Sequence, residues 1–464
     1  MRILHVTLGL PPLRTGGLTK YSVDLMLTQQ QLLHEVIVLY PGHYTLTGSL
    51  RVKKNDSYQG IQVYEIINPL PVPLLGGVKK PREYMKQING QQYTTFLQQL
   101  NPDIIHVHTL MGLHKEFLEA AKALGIRMVF TSHDYFGICP KVNLLDSSGT
   151  VCESYKDGIE CVSCNQGGYS STMIRLMQSR AYRYFKESRA VTLLRKRVKH
   201  RFRAENRKRS SDASNNIKKD PVMGLSYVEL RKYYMEMLQF MNGIHFNSSV
   251  AQQEYHRYGQ WNGKVISITH RDIQDRRSIR TVQSADKPLR FTYLGPVDAY
   301  KGFFLLHQSL QQLRKHSYMN WCLQVYGDMS HASELFNTEK YTFHGKYCYD
   351  DLSHIFENTD ILVIPSICKE TFGFTGLEAL SYGVPVLIAD TVGFKDMIRN
   401  GVTGFIVKPE VKELADQLRN IIENRDILNV MNQNINEMDI QFSMERHVEQ
   451  LMDWYSHLEA EVIV

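Results

Sequence analysis

Ser366-Ile367-Cys368-Lys369-Glu370-Thr371-Phe372-Gly373-Phe374-Thr375-Gly376-Leu377-Glu378-Ala379-Leu380 follows directly on Ile361-Leu362-Val363-Ile364-Pro365 and leads into Gly383-Val384-Pro385-Val386. The run before Ser366 is apolar without alternation, as expected of a strand covered on both faces. A helix is predicted to begin near Phe374. Gly373 lets the backbone approach a ligand closely, and the free N–H groups of a helix start receive phosphate oxygens. Glu370 precedes that turn and is placed to face a cleft. Glu378, about one turn into the helix, can accept two hydrogen bonds from vicinal hydroxyls such as a ribose diol. Taken alone, two carboxylates at a helix start are ordinary surface groups. The Glu-x7-Glu spacing around Phe-Gly sharpens the reading.

Outward from this segment, similar β-rich apolar runs recur at residues 3–7, 35–40, 61–67, 103–108, 126–133, 243–248 and 264–268. A second series follows at 289–295, 321–328, 341–345, 361–366, 384–390 and 405–407. Helices are predicted between them, for example over 19–33, 225–241, 303–315, 351–357 and 411–424. Two successive series of this kind predict an α/β protein with two doubly wound, Rossmann-like sheets. Ligands of such sheets sit beyond the carboxyl ends of the strands. His106 and His108, Ser132-His133-Asp134, Asn247-Ser248, Gly295, Gly327-Asp328, Ser366 and Asp390 all fall at such ends, which predicts a cleft between facing sheets. His106 and His108 are expected to point to opposite sides of their strand.

The chain has 464 residues, too many for one compact domain, and its 43% hydrophobic and 22% charged content excludes a disordered chain. The first domain is expected over 1–283, with an insertion at about 139–242, the second over 284–440, and a returning helix over 441–464. No run reaches the roughly 20 apolar residues of a membrane span, and the start lacks a signal-peptide pattern. A cytoplasmic location is the expectation. The net charge of +7 is uneven: residues 171–220 hold 16 Lys/Arg against 4 Asp/Glu, a local +12, and the rest carries −5. A local anionic partner fits this pattern better than nucleic acid. The segment 173–209, with the run Arg195-Lys196-Arg197-Val198-Lys199-His200-Arg201-Phe202-Arg203, reads either as a contact to an anionic membrane surface, peripheral on the inner face, or as a solvated helix. Cys139, Cys152, Cys161 and Cys164, ending in Cys-x-x-Cys, read as one structural zinc site, as reduced thiols, or as a redox group.

The segment from Glu370 to Glu378 resembles the large retaining group of GT-B glycosyltransferases called family 4, as do Gly295, Lys301-Gly302, Gly327-Asp328, Gly383-Val384-Pro385-Val386 and Gly401-Val402-Thr403-Gly404-Phe405. Weaker similarity reaches Gly16-Gly17, residues 103–108 and Ser132-His133-Asp134. The resemblance covers about three quarters of the chain and leaves out the insertion. It implies a nucleoside-diphosphate-sugar donor and a glycan or lipid-linked saccharide acceptor, in polysaccharide or glycoconjugate biosynthesis, with retained anomeric configuration. Lys301 would neutralise the departing diphosphate, aided by the amides of Thr371, Phe372, Gly373 and Phe374. Glu370 would hold the sugar hydroxyls, Glu378 the ribose, and His133 would touch the sugar near the reacting carbon. Gly16 and Gly17 would let the first domain's backbone approach the diphosphate and the acceptor, and Gly295 would be among the donor-binding residues. Pro296 stands where many relatives have Arg, which removes one cationic contact. The chain has no Asp-x-Asp pair to bind a bridging cation, so catalysis is expected to need no metal or other cofactor. Two rivals share the architecture: a nucleotide-sugar epimerase and a non-catalytic nucleotide-sugar-binding subunit.

Overall fold

The computed structural model describes residues 1–45, 47–73, 76–185, 220–282, 284–330 and 339–458. The first sheet is built from β1 (Arg2–Val6), β2 (Glu35–Pro41), β3 (Arg51–Tyr58), β4 (Ile61–Ile67), β5 (Ile104–Val107), β6 (Arg127–Thr131), β7 (Gly243–Phe246) and β8 (Gly263–Val265), in the order β3-β4-β2-β1-β5-β6-β7-β8. All its pairs are parallel except β3 with β4. The second sheet holds β9 (Leu289–Leu294), β10 (Trp321–Tyr326), β11 (Tyr341–Gly345), β12 (Ile361–Ile364), β13 (Val386–Ala389) and β14 (Gly404–Val407), all parallel, in the order β11-β10-β9-β12-β13-β14.

The central strands are apolar throughout because helices cover both faces, and Leu4, Ile37, Ile105, Phe291, Leu323 and Leu362 are all wholly buried. Strand β3, Arg-Val-Lys-Lys-Asn-Asp-Ser-Tyr, escaped the sequence reading because it is a mostly exposed edge strand with no apolar run. The order of strands reverses between β1 and β5 in one sheet and between β9 and β12 in the other. Those two reversal points are where a doubly wound sheet opens a crevice.

The stretch 139–242 runs between β6 and β7. Its last helix, Pro221–Gln239, buries Tyr227, Leu230, Tyr234, Met237 and Leu238 in the first domain's core, so it serves as that domain's crossover helix. The basic run 195–203 and the polar residues 210–216 lie outside the described residues. Upstream of them, residues 171–185 form two short helices, Ser171–Met177 and Arg180–Phe185.

Helix Met444–Ser456 packs against helix Gly17–Gln31 and the first sheet. Its Tyr455 carbonyl accepts a hydrogen bond from Arg127 Nη1 at 3.0 Å. Its Trp454 leaves no room for a side chain at Gly243, where a Cβ would stand 2.7 Å from the indole.

Candidate active site

The carboxyl ends of the two sheets meet. Thr371 donates its hydroxyl to the His133 carbonyl at 2.9 Å, and its own carbonyl accepts from Ser248 Oγ at 2.7 Å. Asp396 accepts from the backbone N–H of Ser249, and Lys369 pairs with Glu254 at 3.5 Å.

Lys301 and Glu370 form the centre of the second domain's contribution, with Nζ 2.9 Å from Oε2. Gly302, at φ 74°, brings them together: a Cβ there would lie 1.8 Å from the Pro365 carbonyl, so only glycine lets the head of helix Phe303–Lys315 back onto the end of β12. Ser366 Oγ donates to the other carboxylate oxygen of Glu370. Burial alone would push the Lys301 ammonium down, but the Glu370 carboxylate outweighs it and holds the group above its ordinary value. The result is a half-buried, fixed cation beside the turn that opens helix Phe374–Leu380. Such a cation stabilises negative charge that grows on a departing group.

Glu378 lies on that helix, 4% exposed, and among the described residues its Oε2 has no hydrogen-bond partner, while the Tyr349 hydroxyl stands near the same carboxylate. Its Oε1 is 3.6 Å from Nε2 of His270, a wholly buried imidazole whose two nitrogens also lack hydrogen-bond partners. His270 packs edge-on against Tyr349 and Phe374, each with ring centroids 5.0 Å apart. A buried carboxylate oxygen and imidazole without partners are costly unless a ligand completes them. Sequence reasoning missed His270, which belongs to no motif and follows an irregular segment after β8.

From the first domain, Gly16 (φ 115°) and Gly17 head helix Gly17–Gln31. A Cβ on Gly17 would touch the Phe374 ring at 3.6 Å, so the glycine turn lies directly against the start of the opposite helix. Gly295 follows β9, and its carbonyl would be 2.0 Å from a Cβ on Gly327, which ties the ends of β9 and β10 together. The Pro296 carbonyl accepts from Tyr293 OH at 2.8 Å. Phe372 is 3% exposed and packs on Phe374 and Phe394, so its ring is core and only its main chain is available to a ligand. Gly373 (φ 112°) caps the helix, with Val392 leaving no space for a side chain.

His106 and His108 do not face opposite sides. Their rings stack at 4.0 Å, because residues two apart on a strand share a face. They belong to two hydrogen-bonded chains whose polarity is set by their ends. Gln29 Oε1 only accepts, so His5 donates from Nε2 (2.7 Å); His5 Nδ1 accepts from His108 Nε2 (3.0 Å), and His108 Nδ1 from His133 Nε2 (3.2 Å). His133 Nδ1 is thereby left as an acceptor, with the Asn247 amide 3.4 Å away. In the second chain the Ile266 carbonyl accepts from His245 Nε2, Thr131 donates to His245 Nδ1, His106 Nε2 donates to Thr131, and Tyr455 OH donates to His106 Nδ1. Burial lowers His133 to about 3 and His5 and His245 to about 4, and pushes His106 and His108 well below the usual histidine range. His133, half-buried at the cleft, therefore offers a lone pair and no acidic proton. Although nitrogens of His5, His106 and His108 lie within 4.8 Å of one another, both nitrogens of each ring are already engaged, which argues against a metal there. Next to His133, burial raises the Asp134 carboxyl to about 7.

Residues 15–204 match the family model described as Glycosyltransferase Family 4, and residues 275–438 match that described as Glycosyl transferases group 1. The chain belongs to these glycosyltransferases. Their GT-B fold is the one found here: sucrose-phosphate synthase from Thermosynechococcus elongatus superposes with a TM-score of 0.58 at 13% identity, covering 99% of both chains. Anabaena HepE, solved in complex with UDP, gives 0.59 at 14% identity, covering 99% of this chain and 100% of its own. Among curated relatives, a D-inositol 3-phosphate glycosyltransferase from Nocardia farcinica is 32% identical over 126 residues, which is 27% of this chain and 28% of that protein. Sulfoquinovosyl transferase SQD2 of Arabidopsis thaliana is 30% identical over 148 residues, 30% of this chain and 28% of its own. The chain thus spans less than a third of the length of either relative. The Family 4 match runs through Cys139, Cys152, Cys161 and Cys164, a stretch that the sequence resemblance left out. Among the described residues no helix is long and apolar enough to cross a membrane.

Proposed function

We propose that this glycosyltransferase moves a hexose-type sugar from a nucleoside-diphosphate donor to a glycan or lipid-linked saccharide, with retention of anomeric configuration. The observation that carries the reading is the Lys301–Glu370 pair at the head of a helix whose Glu378 keeps a buried oxygen without a hydrogen-bond partner among the described residues, with Gly17 against the same helix start. In this reading the ribose diol completes Glu378 and His270, and the diphosphate lies along the Thr371–Phe374 main chain. Lys301 takes up the charge that develops on the leaving diphosphate, aided by the helix start. Glu370, turned toward the same space, accepts from sugar hydroxyls, and His133 Nδ1 accepts another in place of its long contact with the Asn247 amide. No metal takes part in these steps. The relatives named for transfer to inositol 3-phosphate and for sulfoquinovosyl transfer, and the HepE structure solved with UDP and glucose, support a nucleotide-sugar substrate of this kind.

An acceptor at a membrane surface is favoured by the +12 segment over 171–220 and by exposed apolar side chains, Leu176, Tyr184 and Phe185 within it and Val222 and Leu225 just after it. Basic residues near an anionic surface contribute about 1 kcal/mol each, and the apolar groups add insertion. We place the enzyme at the cytoplasmic face on this ground.

The test is a panel of UDP-, GDP- and other nucleotide sugars, read first by melting-temperature shift and then by nucleotide release with and without membrane-derived acceptor. Acceptor-dependent release from one donor is the expected result. Sugar interconversion with donor alone would make the protein an epimerase, and donor binding without release in the presence of acceptor would make it a binding subunit.

A further inference from the structure

The row Gln29–His5–His108–His133 runs from the interior of the first domain to the cleft, with contacts of 2.7, 3.0 and 3.2 Å. Gln29, His5 and His108 are wholly buried, and only His133 reaches the cleft. A neutral imidazole carries one N–H and one lone pair, so imidazoles joined nitrogen to nitrogen have two consistent proton orders, each the reverse of the other. A break between the two sets lone pair against lone pair, or proton against proton, in the core, where an unmade hydrogen bond is costly. The position of the proton on His133 is therefore decided by the more firmly fixed end of the row.

The cleft end fits either order. Asn247 Nδ2 lies 3.4 Å from His133 Nδ1 and 3.3 Å from the Ser132 carbonyl, while its Oδ1 is buried without a hydrogen-bond partner among the described residues. Turned over, that amide would take a proton from Nδ1 at the cost of its long bond to Ser132. The inner end has no such freedom. The Gln29 amide nitrogen points to the Met452 sulfur at 3.9 Å, and a thioether offers only lone pairs. Tyr455, three residues on along the same helix, gives its hydroxyl proton to His106, in a chain that ends on the main-chain carbonyl of Ile266. A peptide carbonyl cannot turn over, so the Tyr455 oxygen, which stands near the Gln29 side chain, also has only lone pairs to offer. These acceptors of helix Met444–Ser456 keep the Gln29 amide nitrogen toward themselves and its carbonyl on His5. The same helix holds the Tyr21 hydroxyl through His447 at 2.8 Å, and the Tyr21 ring lies 4.9 Å from that of His133.

We propose that Gln29 is a positioning residue for transfer: set by Met452 and Tyr455, it orders the row so that His133 keeps its proton on Nε2 and turns the Nδ1 lone pair to the cleft. The proposal rests on the proposed function in one respect, that this lone pair receives a hydroxyl of the donor sugar. The sugar position facing His133 must then carry a group that donates, and a fluorine or methoxyl there is refused. Because the order spans the whole row, Gln29 acts on the cleft without touching substrate, and the carboxyl-terminal helix acts through Gln29.

The test uses the full chain with nitrogen-15-labelled histidine. Long-range proton–nitrogen spectra should show wild-type His133, identified by the signals lost in His133→Asn, with its proton on Nε2. Gln29→Leu removes the terminal acceptor and should move His133 wholly or partly to the Nδ1-protonated form. Met452→Leu combined with Tyr455→Phe leaves Gln29 in place without its acceptors and should do the same to a smaller extent. In Gln29→Leu, KM for the nucleotide sugar selected in the donor panel should rise about fivefold, the worth of one hydrogen bond, with kcat per folded molecule within about twofold of the wild type. Should Gln29→Leu fail to fold, the wild-type spectrum and the double variant carry the test. A wild-type proton on Nδ1 overturns the positioning role. So does a proton that stays on Nε2 in every variant that folds, whatever happens to the melting temperature. A changed tautomer with an unchanged KM keeps the ordered row and overturns the sugar contact of His133 instead.

Discussion

Thr371 of the second domain donates its hydroxyl to the main-chain carbonyl of His133 in the first, at 2.9 Å. The same residue's carbonyl accepts from Ser248, so one threonine fastens two strand ends of the opposite sheet to the turn that heads helix Phe374–Leu380. Thr371→Val keeps the shape and removes the donor. It should weaken donor binding by about 1 kcal/mol, the net worth of one hydrogen bond, and raise KM about fivefold with little change in the melting temperature. Steady-state kinetics over a donor series measures this, and an unchanged KM would show that the contact does not hold the cleft together.

Lys301 is half-buried and paired with one carboxylate, so its loss leaves Glu370 near water and the core intact. Lys301→Ala should lower kcat by about 100-fold or more, the size of effect seen when a group stabilising transition-state charge is removed. Its melting temperature should stay within a few degrees of the wild type. A collapsed melt with normal activity per folded molecule would reverse the assignment.

Glu378 should be sensed through the ribose. Glu378→Ala is expected to weaken nucleotide binding by about 1–3 kcal/mol. The wild type should favour a ribonucleotide over its 2′,3′-dideoxy analogue, and the variant should bind both alike. Calorimetric titration of both nucleotides reads the difference directly; a preference that persists in the variant would place the diol elsewhere.

The histidine chains make the fold acid-labile. His5, His106, His108, His133 and His245 are held below the ordinary value of 6.5, chiefly by burial. Below pH 6.5 the unfolded chain takes up protons that the folded one refuses. Stability is therefore fully present above pH 6.5 and lost as pH falls from there toward 4. His5 and His245 would each withdraw up to about 3 kcal/mol over that range. Denaturant midpoints between pH 7 and 5 should fall steeply, and nitrogen-15 spectra should show His133 neutral with its proton on Nε2. A flat profile would contradict the buried network.

Asp134 runs the other way. Its folded value of about 7 lies above the ordinary 3.8, so the folded state holds a proton that the unfolded chain has released. Stability from this group is present below pH 3.8 and lost as pH rises toward 7. The contribution is at most about 4 kcal/mol, and less because the side chain is partly exposed. Asp134→Asn should therefore gain on the wild type at pH 8 relative to pH 5, as read by parallel urea titrations.

Much of this was legible in the chain because parallel strands covered on both sides write themselves as unbroken apolar runs. Residues 361–364 and 386–389 are examples, and both are wholly or nearly wholly buried. Gly302 and Gly373 mark turns where a side chain has no room, and such positions show in sequence as fixed points around a motif. What escaped lacks a local pattern. Strand β3 is exposed and polar, so nothing in its composition separates it from a loop. His270 meets Glu378 only through the path of an irregular segment.

The homing of helix Met444–Ser456 bears on how relatives can be recombined. Tyr455 anchors one histidine chain and His447 takes the Tyr21 hydroxyl, at 2.7 and 2.8 Å, so the tail of the polypeptide finishes the interior of its first half. A chimera joined only near residue 283 would import a foreign tail into that interior. With the donor held as proposed above, grafting its specificity would require two junctions, one on each side of 284–440, with the closing helix inherited alongside the amino-terminal lobe.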